Sequence, residues 1–471
     1  MEQDRCGSGA RRATAAVAVR SARRSGAGAP RRRLRRRVFA GLVVLLLTTV
    51  LPVIPAAQAA VPTPQTDPFY TYQGSTPLAD VAPGTVLRTR TLDYHVAGLP
   101  LPVRAVQLLY RSTGMLGQPT VNVTSVLEPL FRFGPPRVIS YQSFYDSLNP
   151  ADEPSYAISG GLSFGGLIPD VESLLIAPAL LAGFTVVVPD TEGETADFAA
   201  GPEYGYNTLD SLRAALASPA AGLWGTSQIG MLGYSGGAIA TEWASELAPT
   251  YAPSVNRMLV GATYGGVLVD PAHNLHYVNG SALWAGVMPM ALIGISRAFH
   301  VDLSPYLSAY GQQVFANLQN ASIVQGLFGG YSGLTFSQLT KPQYQVPESI
   351  PVYDRLANQL IMGTGGTPTT PLLIDQGANG TLDGTPNAQP GIGPGDGVMI
   401  AGDVRTLARE YCSRGVPVQY NQFDSLDHIL TAVAWVVQAY TWLIGRFAGL
   451  PAPSDCGSIA PGNSLAPIPV P

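Results

Sequence analysis

The sequence contains few of the residues that bind metals or nucleic acid. Its 471 residues include three cysteines and five histidines, and neither an HExxH pattern nor paired CxxC patterns occur. Twelve of the 27 basic residues and only two of the 31 acidic residues precede position 61, which leaves 15 basic and 29 acidic residues, a formal net charge of −14. These shortages argue against a metal centre, imply no cofactor, and leave no basic surface for nucleic acid or anionic membranes.

The first sixty residues have the pattern of a signal peptide. The arginine-rich stretch "RRRLRRR" at 31–37 is followed by an apolar run at 38–54 and by the small-residue site "AQA" at 57–59. We predict that residues 1–60 are a signal peptide and that the protein is secreted, with retention at the cell envelope as an alternative. A membrane anchor is also possible by length, since about 17 apolar residues could span a thinned bilayer. The cleavage site favours the signal peptide, and the choice between general and twin-arginine export stays open.

Two cysteines, Cys412 and Cys456, follow the signal peptide. An exported chain folds in an oxidising compartment, where a remaining pair of cysteines tends to form a disulfide. We therefore predict a Cys412–Cys456 disulfide, with two unrelated thiols as the alternative.

The distribution of apolar residues predicts an α/β fold. Three β-branched strand candidates come first, and short apolar strands then alternate with helix-length segments, a pattern typical of a mostly parallel sheet covered on both faces. Between residues 268 and 366 the alternation stops and helical segments follow one another. We predict a core formed by 61–267 and 367–457, a helical insertion at 268–366, and a Pro-rich tail at 458–471.

Three serines lie in or near the nucleophile-elbow pattern G-x-S-x-G. They are Ser163 in "GLSFG", Ser235 in "GYSGG" and Ser332 in "GYSG". An elbow needs a strand directly before the serine and a helix directly after it. Only Ser235 has both, because Ser163 follows a turn-rich stretch and Ser332 lies in the insertion without the final glycine. Ser235 is therefore the predicted nucleophile, and the amides at the start of the following helix would face the oxyanion.

The elbow pattern predicts that an acid and then a histidine follow the serine along the chain. His428 comes directly after the last strand candidate, whereas His95 precedes the serine and the other three histidines lie in or beside the insertion. Asp383 and Asp396 both lie in the loop after the strand "PLLIDQG". Asp396 is nearer to the next helix and is the preferred acid, while Asp383, which has the surroundings of a turn aspartate, stays an alternative. The acid would hold the imidazole in the tautomer that accepts the serine proton.

Several segments of the chain resemble the secretory lipase family of microbial α/β-hydrolases, over most of residues 67–456. These segments are "SYQSFYDS", "PDTEG", "GYSGGAIATEWASELAPTYAP", "GATYGG", "REYCSRG" and the "DH" at 427–428. The resemblance implies an α/β-hydrolase fold with a helical lid between the strand after the nucleophile helix and the strand that leads to the acid. The loop before the acid is longer and richer in glycine than in the family pattern.

The resemblance also implies a role for individual residues. The family serine, acid and histidine match Ser235, Asp396 and His428, and the match favours Asp396 over Asp383. The amides of Asp146, in "SFYDS", and of Gly236 match the family's oxyanion donors.

The apolar segment "ALWAGVMPMALIG" at 282–294 allows two interpretations. Apolar residues at helical spacing are typical of a buried core helix. Alternatively, the segment belongs to a lid in which Trp284, Met288 and Met290 line a tunnel for an acyl chain.

Together these features predict a triacylglycerol lipase that acts on lipid esters at an oil–water interface through an acyl-enzyme intermediate. No stable protein partner is implied. Two alternatives stay open: a short-chain carboxylesterase or peptidase on the same fold, and a non-catalytic α/β-hydrolase domain used in adhesion.

Overall fold

The computed structural model describes residues 61–470 except 133, 227, 387, 388 and 390. The predicted signal peptide at 1–60 lies outside the described residues.

A single sheet of nine strands runs through the described part of the chain. Its strands are β1 Val86–Val96, β2 Leu99–Thr113, β3 Pro119–Leu127, β4 Val138–Gln142, β5 Thr185–Pro189, β6 Ile229–Tyr234, β7 Leu259–Gly265, β8 Leu372–Gly377 and β9 Val418–Phe423. They are arranged in the order β1-β2-β3-β5-β4-β6-β7-β8-β9. Pairing is antiparallel from β1 to β5 along this order and parallel from β5 to β9. The mostly parallel sheet predicted from the sequence is therefore confirmed.

Helices cover both faces of the sheet. Those of the core are α1 Pro154–Ile158, α2 Leu167–Leu181, α3 Gly201–Ala217, α4 Gly236–Tyr251 and α5 Pro253–Asn256, and the later ones α12 Ala401–Ser413 and α13 His428–Phe447. One apolar cluster joins the sheet to α3, α4 and α12, and another joins its opposite face to α2 and α13. Because both faces are covered, the inner parallel strands are continuous buried runs: all residues of β5, β6 and β8 are buried, whereas the edge strand β9 is mostly half-buried.

The segment between β7 and β8 contains helices and no long strand among its described residues. These helices are α6 Pro271–Val278, α7 Val287–Ala298, α8 Ala309–Leu318, α9 Ile323–Phe328, α10 Phe336–Leu339 and α11 Pro351–Asn358. They enclose an apolar cluster of their own. This helical insertion follows the sequence prediction, whose limits of 268 and 366 stay a prediction.

Helix α7 is shorter than its apolar sequence indicates. The apolar run begins at Ala282, but the helix begins at Val287, so Trp284 lies in the turn before it. Pro289 falls in the first turn of α7, where a missing N–H costs no intrahelical hydrogen bond. The proline thus sets the start of the helix more strongly than the apolar pattern does.

Helix α13 is the one helix in the described chain with the length and apolar composition of a membrane span. Trp435, Ala439 and Leu443 on its inner side are buried against the sheet, as in a core helix. Its exposed positions include Ile429 and Val433, which are 52% and 65% exposed, and none of the residues classed as exposed within the helix is charged.

The tail after α13 follows a fixed path over the core and the insertion. Cys456 forms the predicted disulfide with Cys412 at the end of α12. The Arg409 guanidinium donates to the carbonyl of Ile459 at 2.6 Å. Farther along, the backbone of Ile468 exchanges two hydrogen bonds of 2.8 Å with the side chain of Asn358 on α11. The tail therefore connects α12 with the insertion.

Replacing both cysteines, as Cys412→Ser with Cys456→Ser, should lower the free energy of unfolding by about 4 kcal/mol, since the disulfide closes a long loop in the unfolded chain. Denaturant unfolding monitored by circular dichroism measures this change. The reduced wild-type protein is the control and should match the double variant. An unfolding midpoint equal to that of the oxidised protein would contradict the expectation.

Candidate active site

The backbone makes a sharp turn at Ser235, between β6 and α4. Ser235 has φ of 54° and ψ of −120°, a conformation that non-glycine residues rarely adopt. Small neighbours make the turn possible. A Cβ atom at Gly233 would lie 2.1 Å from the Gly237 carbonyl oxygen, and one at Gly237 would lie 2.1 Å from the Gln142 carbonyl oxygen. The turn exposes the half-buried Ser235 side chain at the carboxyl edge of the sheet.

The three predicted triad residues form one chain of hydrogen bonds. The Nε2 atom of His428 lies 2.9 Å from Ser235 Oγ, and its Nδ1 atom lies 2.8 Å from Asp396 Oδ2. Each follows the carboxyl end of a parallel strand: Ser235 comes after β6, Asp396 after β8, and His428, the first residue of α13, after β9. The sheet itself thus brings together side chains that are far apart in the sequence.

Asp396 is held rigidly by four donors. Its Oδ2 atom accepts from the Gln376 side chain at 2.9 Å as well as from His428. Its Oδ1 atom accepts from the backbone amides of Val398 and Met399 at 3.1 and 2.8 Å. With both oxygens satisfied and the side chain fully buried, the carboxylate can orient the imidazole without rotating.

The surroundings of His428 raise the pKa of its imidazole. Burial alone would lower this pKa, but the charge and hydrogen bond of Asp396, assisted by Asp383, raise it above its ordinary value. Tyr234 donates a 2.5 Å hydrogen bond to the His428 carbonyl oxygen. Hydrogen bonds to the ring and to the backbone carbonyl thus fix His428 in place, as a proton acceptor for Ser235 requires.

Asp146 lies against the start of α4, next to the predicted nucleophile. A Cβ atom at Gly236 would overlap the Asp146 Oδ1 atom, so the carboxyl lies directly against this residue. Burial raises the pKa of Asp146 to about 8, against the lowering effect of His428. Below that pH the carboxyl is neutral, so it can share the space beside Ser235 with a developing negative charge.

Two buried carboxyl groups hold the loop that carries Asp146. Glu172 of α2 accepts from Tyr141, from the Ser143 hydroxyl and from the Phe144 amide. Glu192, after β5, accepts from the Ser147 amide on the other side of Asp146. No sequence pattern marks Glu172 or Glu192 as a support of this loop, although Glu192 lies in the "PDTEG" segment.

Asp383, the alternative acid, does not reach His428 by a hydrogen bond. Its Oδ2 atom instead accepts from the Trp284 indole at 3.0 Å. Among the other serines, Ser163 lies in a loop and caps the amide of Gly166 at 2.9 Å, and Ser332 lies in a turn of the insertion. Neither stands between a strand and a helix, so the structure brings neither into the triad geometry.

The other histidines have different partners. His273 and His276 of α6 contact Asp403 and Glu348, and His95 contacts the carbonyl of Ile158. No group of three or more His, Cys, Asp or Glu side chains suited to a metal ion occurs in the described chain.

An apolar pocket extends from Ser235 into the insertion. Asp146 and Gly236 lie at the same end as Ser235, and the remaining wall is mostly aliphatic and aromatic. Among the residues predicted to line it, Trp284 and Met288 do so. Met290 does not appear in the wall; it is buried and faces Gly326 of α9, because it points away from the pocket side of α7.

The parallel sheet, the serine at the turn after β6, and an acid and a histidine after β8 and β9 define an α/β-hydrolase. The profile of the secretory lipase family matches residues 160–455. Lipase 4 of Candida albicans is 31% identical over 428 residues, which cover 88% of this chain and 88% of that protein. The chain belongs to the secretory lipase family.

Two further comparisons bear on fold and activity. The closed-state crystal structure of Candida antarctica lipase A matches with a TM-score of 0.72 and 26% identity, over 87% of this chain and 92% of that one. A protein of Mycobacterium tuberculosis named as a probable inactive lipase is 31% identical over 82% of this chain and 83% of its own length. The relatives of this chain therefore include one whose name describes it as probably inactive.

The pKa values of His428 and Asp146 predict a bell-shaped pH dependence of kcat/KM. Activity should rise with pH as His428 loses its proton and fall above about pH 8, because the ionised Asp146 would repel the oxyanion. Asp146→Asn should abolish the alkaline fall, as measured with a soluble ester. Asp302→Asn, which changes an exposed carboxylate of the insertion, is the control. An unchanged alkaline limb in Asp146→Asn would assign that limb to another group.

Proposed function

We propose that the protein is a secreted lipase that hydrolyses carboxylic esters of lipids, with triacylglycerols as the principal substrates. The observation that carries the proposal is the hydrogen-bonded chain Ser235–His428–Asp396 at the end of an apolar pocket. Family membership supports hydrolysis of lipid esters, and the family's secretory character supports export of the mature chain.

In the proposed reaction, Ser235 Oγ attacks the ester carbonyl carbon while His428 Nε2 accepts the hydroxyl proton. Asp396 stabilises the imidazolium through Nδ1. The carbonyl oxygen becomes an oxyanion that receives hydrogen bonds from the amides of Gly236 and Asp146. The bond to the leaving alkoxide then breaks, and the His428 imidazolium gives its proton to the alkoxide, which leaves as an alcohol. Water attacks the acyl-enzyme by the same steps and releases the fatty acid.

The Asp146 carboxyl would have to move away from Gly236 for this reaction. In the structure its Oδ1 atom lies directly against that residue, whose amide the oxyanion would need as a donor. A neutral carboxyl can rotate and donate its own proton to the oxyanion. A carboxylate would be repelled, which links this step to the alkaline limb described above.

The pocket supports a long acyl chain as the bound part of the substrate. Its wall contains Met288 and Leu292 of α7 and Phe315 of α8, and burial of each methylene of an acyl chain contributes about 0.8 kcal/mol. Because these helices belong to the insertion, we propose that the insertion acts as a lid that both covers Ser235 and holds the acyl chain.

The outer surface of the core supports action at an oil surface. The exposed apolar residues of α2 and α13 lie on neighbouring helices, since the Tyr440 hydroxyl of α13 donates to the Leu175 carbonyl of α2 at 2.6 Å. They include Leu167, Val171, Leu174, Ile429, Val433 and Val437. This uncharged surface could contact a neutral ester droplet without burying a charge. The droplet would not attract the acidic remainder of the molecule.

Hydrolysis of p-nitrophenyl esters and triglycerides of rising chain length tests the proposal, with Ser235→Ala as the control. We expect the wild-type protein to act on long-chain esters, to be faster on emulsions than on dissolved monomers, and to lose at least about 10⁴-fold in kcat on Ser235→Ala. Full activity of Ser235→Ala would refute the assignment of the nucleophile. A preference for short soluble esters would make the protein a carboxylesterase instead.

Enlarging one pocket residue tests the acyl site separately. Met288→Trp should fill the pocket, so kcat/KM should fall at least about tenfold for a long-chain ester and little for an acetyl ester, since only the long chain needs the space. Ser296→Trp places the same bulk on α7 outside the pocket wall and serves as the matched control. Equal losses on both esters would place the acyl chain elsewhere.

A further inference from the structure

The glycine-rich loop that carries Asp396 is attached to the insertion, not only to the core. Ahead of Asp396, the Gly384 carbonyl accepts from the Ala282 amide at 3.3 Å. The Asp383 carboxylate accepts from the Trp284 indole at 3.0 Å. Two neighbouring residues of the loop thus bind two nearby residues of the turn before α7.

The same indole lies against the predicted general base. The ring centroids of Trp284 and His428 are 5.2 Å apart, with an interplanar angle of 81°. Trp284 is only 5% exposed. On another side of the imidazole lies Tyr234, whose ring centroid is 5.0 Å away. The imidazole is therefore enclosed by two aromatic rings, one from the core and one from the insertion.

Gly397, the residue after Asp396, leaves the space that the Asp383–Trp284 pair occupies. Gly397 has φ of +125°, and a Cβ atom there would lie 2.6 Å from Asp383 Oδ2 and 2.9 Å from Trp284 Nε1. The hydrogen-bonded pair therefore packs directly on the backbone next to the triad acid. A side chain at this position would separate the two partners.

From this geometry we propose that Asp383 is a positioning residue of the reaction. Its carboxylate fixes the Trp284 indole against the imidazole of His428, and the insertion thereby helps to set the orientation of the base. This inference rests on the proposed function. The reaction that follows needs no new chemistry, because Asp383 acts only through Trp284 and through its charge.

Asp383 also adds a negative charge near the imidazole. The titratable groups around His428 are Asp396 and Asp383 of the acid loop, Asp146 after β4, Tyr234 of β6, and Asp427, which caps α13. Burial raises the pKa of Asp383 to about 6, so the group is ionised at neutral pH. Its charge then contributes to the raised pKa of His428.

Three variants separate the hydrogen bond from the charge. Asp383→Ala removes both, Trp284→Phe removes the N–H donor but keeps a ring, and Asp383→Asn keeps an acceptor oxygen but removes the charge. Asp302→Asn is the matched control, because this exposed carboxylate of the insertion bonds only within its own turn. Thermal unfolding of every variant identifies any that fails to fold.

With a soluble short-chain ester, Asp383→Ala and Trp284→Phe should each lower kcat about tenfold with little change in KM. The double variant should be no slower than the slower single variant, since both changes break one contact. Asp383→Asn should retain most of kcat, and the acid limb of its pH profile should move to lower pH. Titration of the His428 ring by NMR should show a lower pKa in Asp383→Asn, with Asp302→Asn unchanged.

Three results would overturn the proposal: wild-type kcat in Asp383→Ala, losses that multiply in the double variant, or an unchanged His428 titration in Asp383→Asn. The NMR titration needs no substrate. If the wild-type protein hydrolysed no ester, the proposed function would fail, whereas the titration would still decide whether Asp383 acts on the imidazole.

Discussion

The contact between Gly237 and the Gln142 carbonyl is the constraint on which the site depends. It brings the start of α4 against the end of β4, so the turn at Ser235 and the loop with Asp146 occupy one small volume. Any side chain at Gly237 would force the two apart, because the blocking atoms belong to the backbone and cannot rotate away. The positive φ of Ser235 is tolerated only because the strand, the helix and this contact determine it together.

Around that contact, both the sheet and the insertion orient the side chains of the site. The sheet places Ser235, Asp396 and His428 after β6, β8 and β9, at the same edge of the sheet, which explains why they meet but not why their geometry is so exact. Precision comes from fixed partners: the amides that bind Asp396, the carboxyl groups that bind the loop around Asp146, and the indole against the imidazole. The insertion is therefore part of the site's framework in addition to its proposed role as a cover.

The sequence predicted the fold class and the meeting of Ser235, Asp396 and His428, because chain order and strand context are local signals. Their roles in catalysis stay a proposal. The sequence could not predict that Asp383 binds Trp284, since an aspartate in "LDGT" is equally typical of an ordinary turn. The supports at Glu172 and Gln376 were also missed, because a buried carboxyl or amide group on a helix or strand has no pattern of its own. Met290 illustrates a third limit: apolar spacing predicts that a side chain is buried but not against what.

The path of the tail has a consequence for the order of assembly. Ile468 is synthesised 110 residues after Asn358, the residue whose side chain it pairs with on α11. Cys456 likewise follows its disulfide partner by 44 residues. The insertion is therefore synthesised well before the tail segment that is bonded to it. Completion of the fold therefore depends on long-range contacts that form only after the end of the chain has been synthesised.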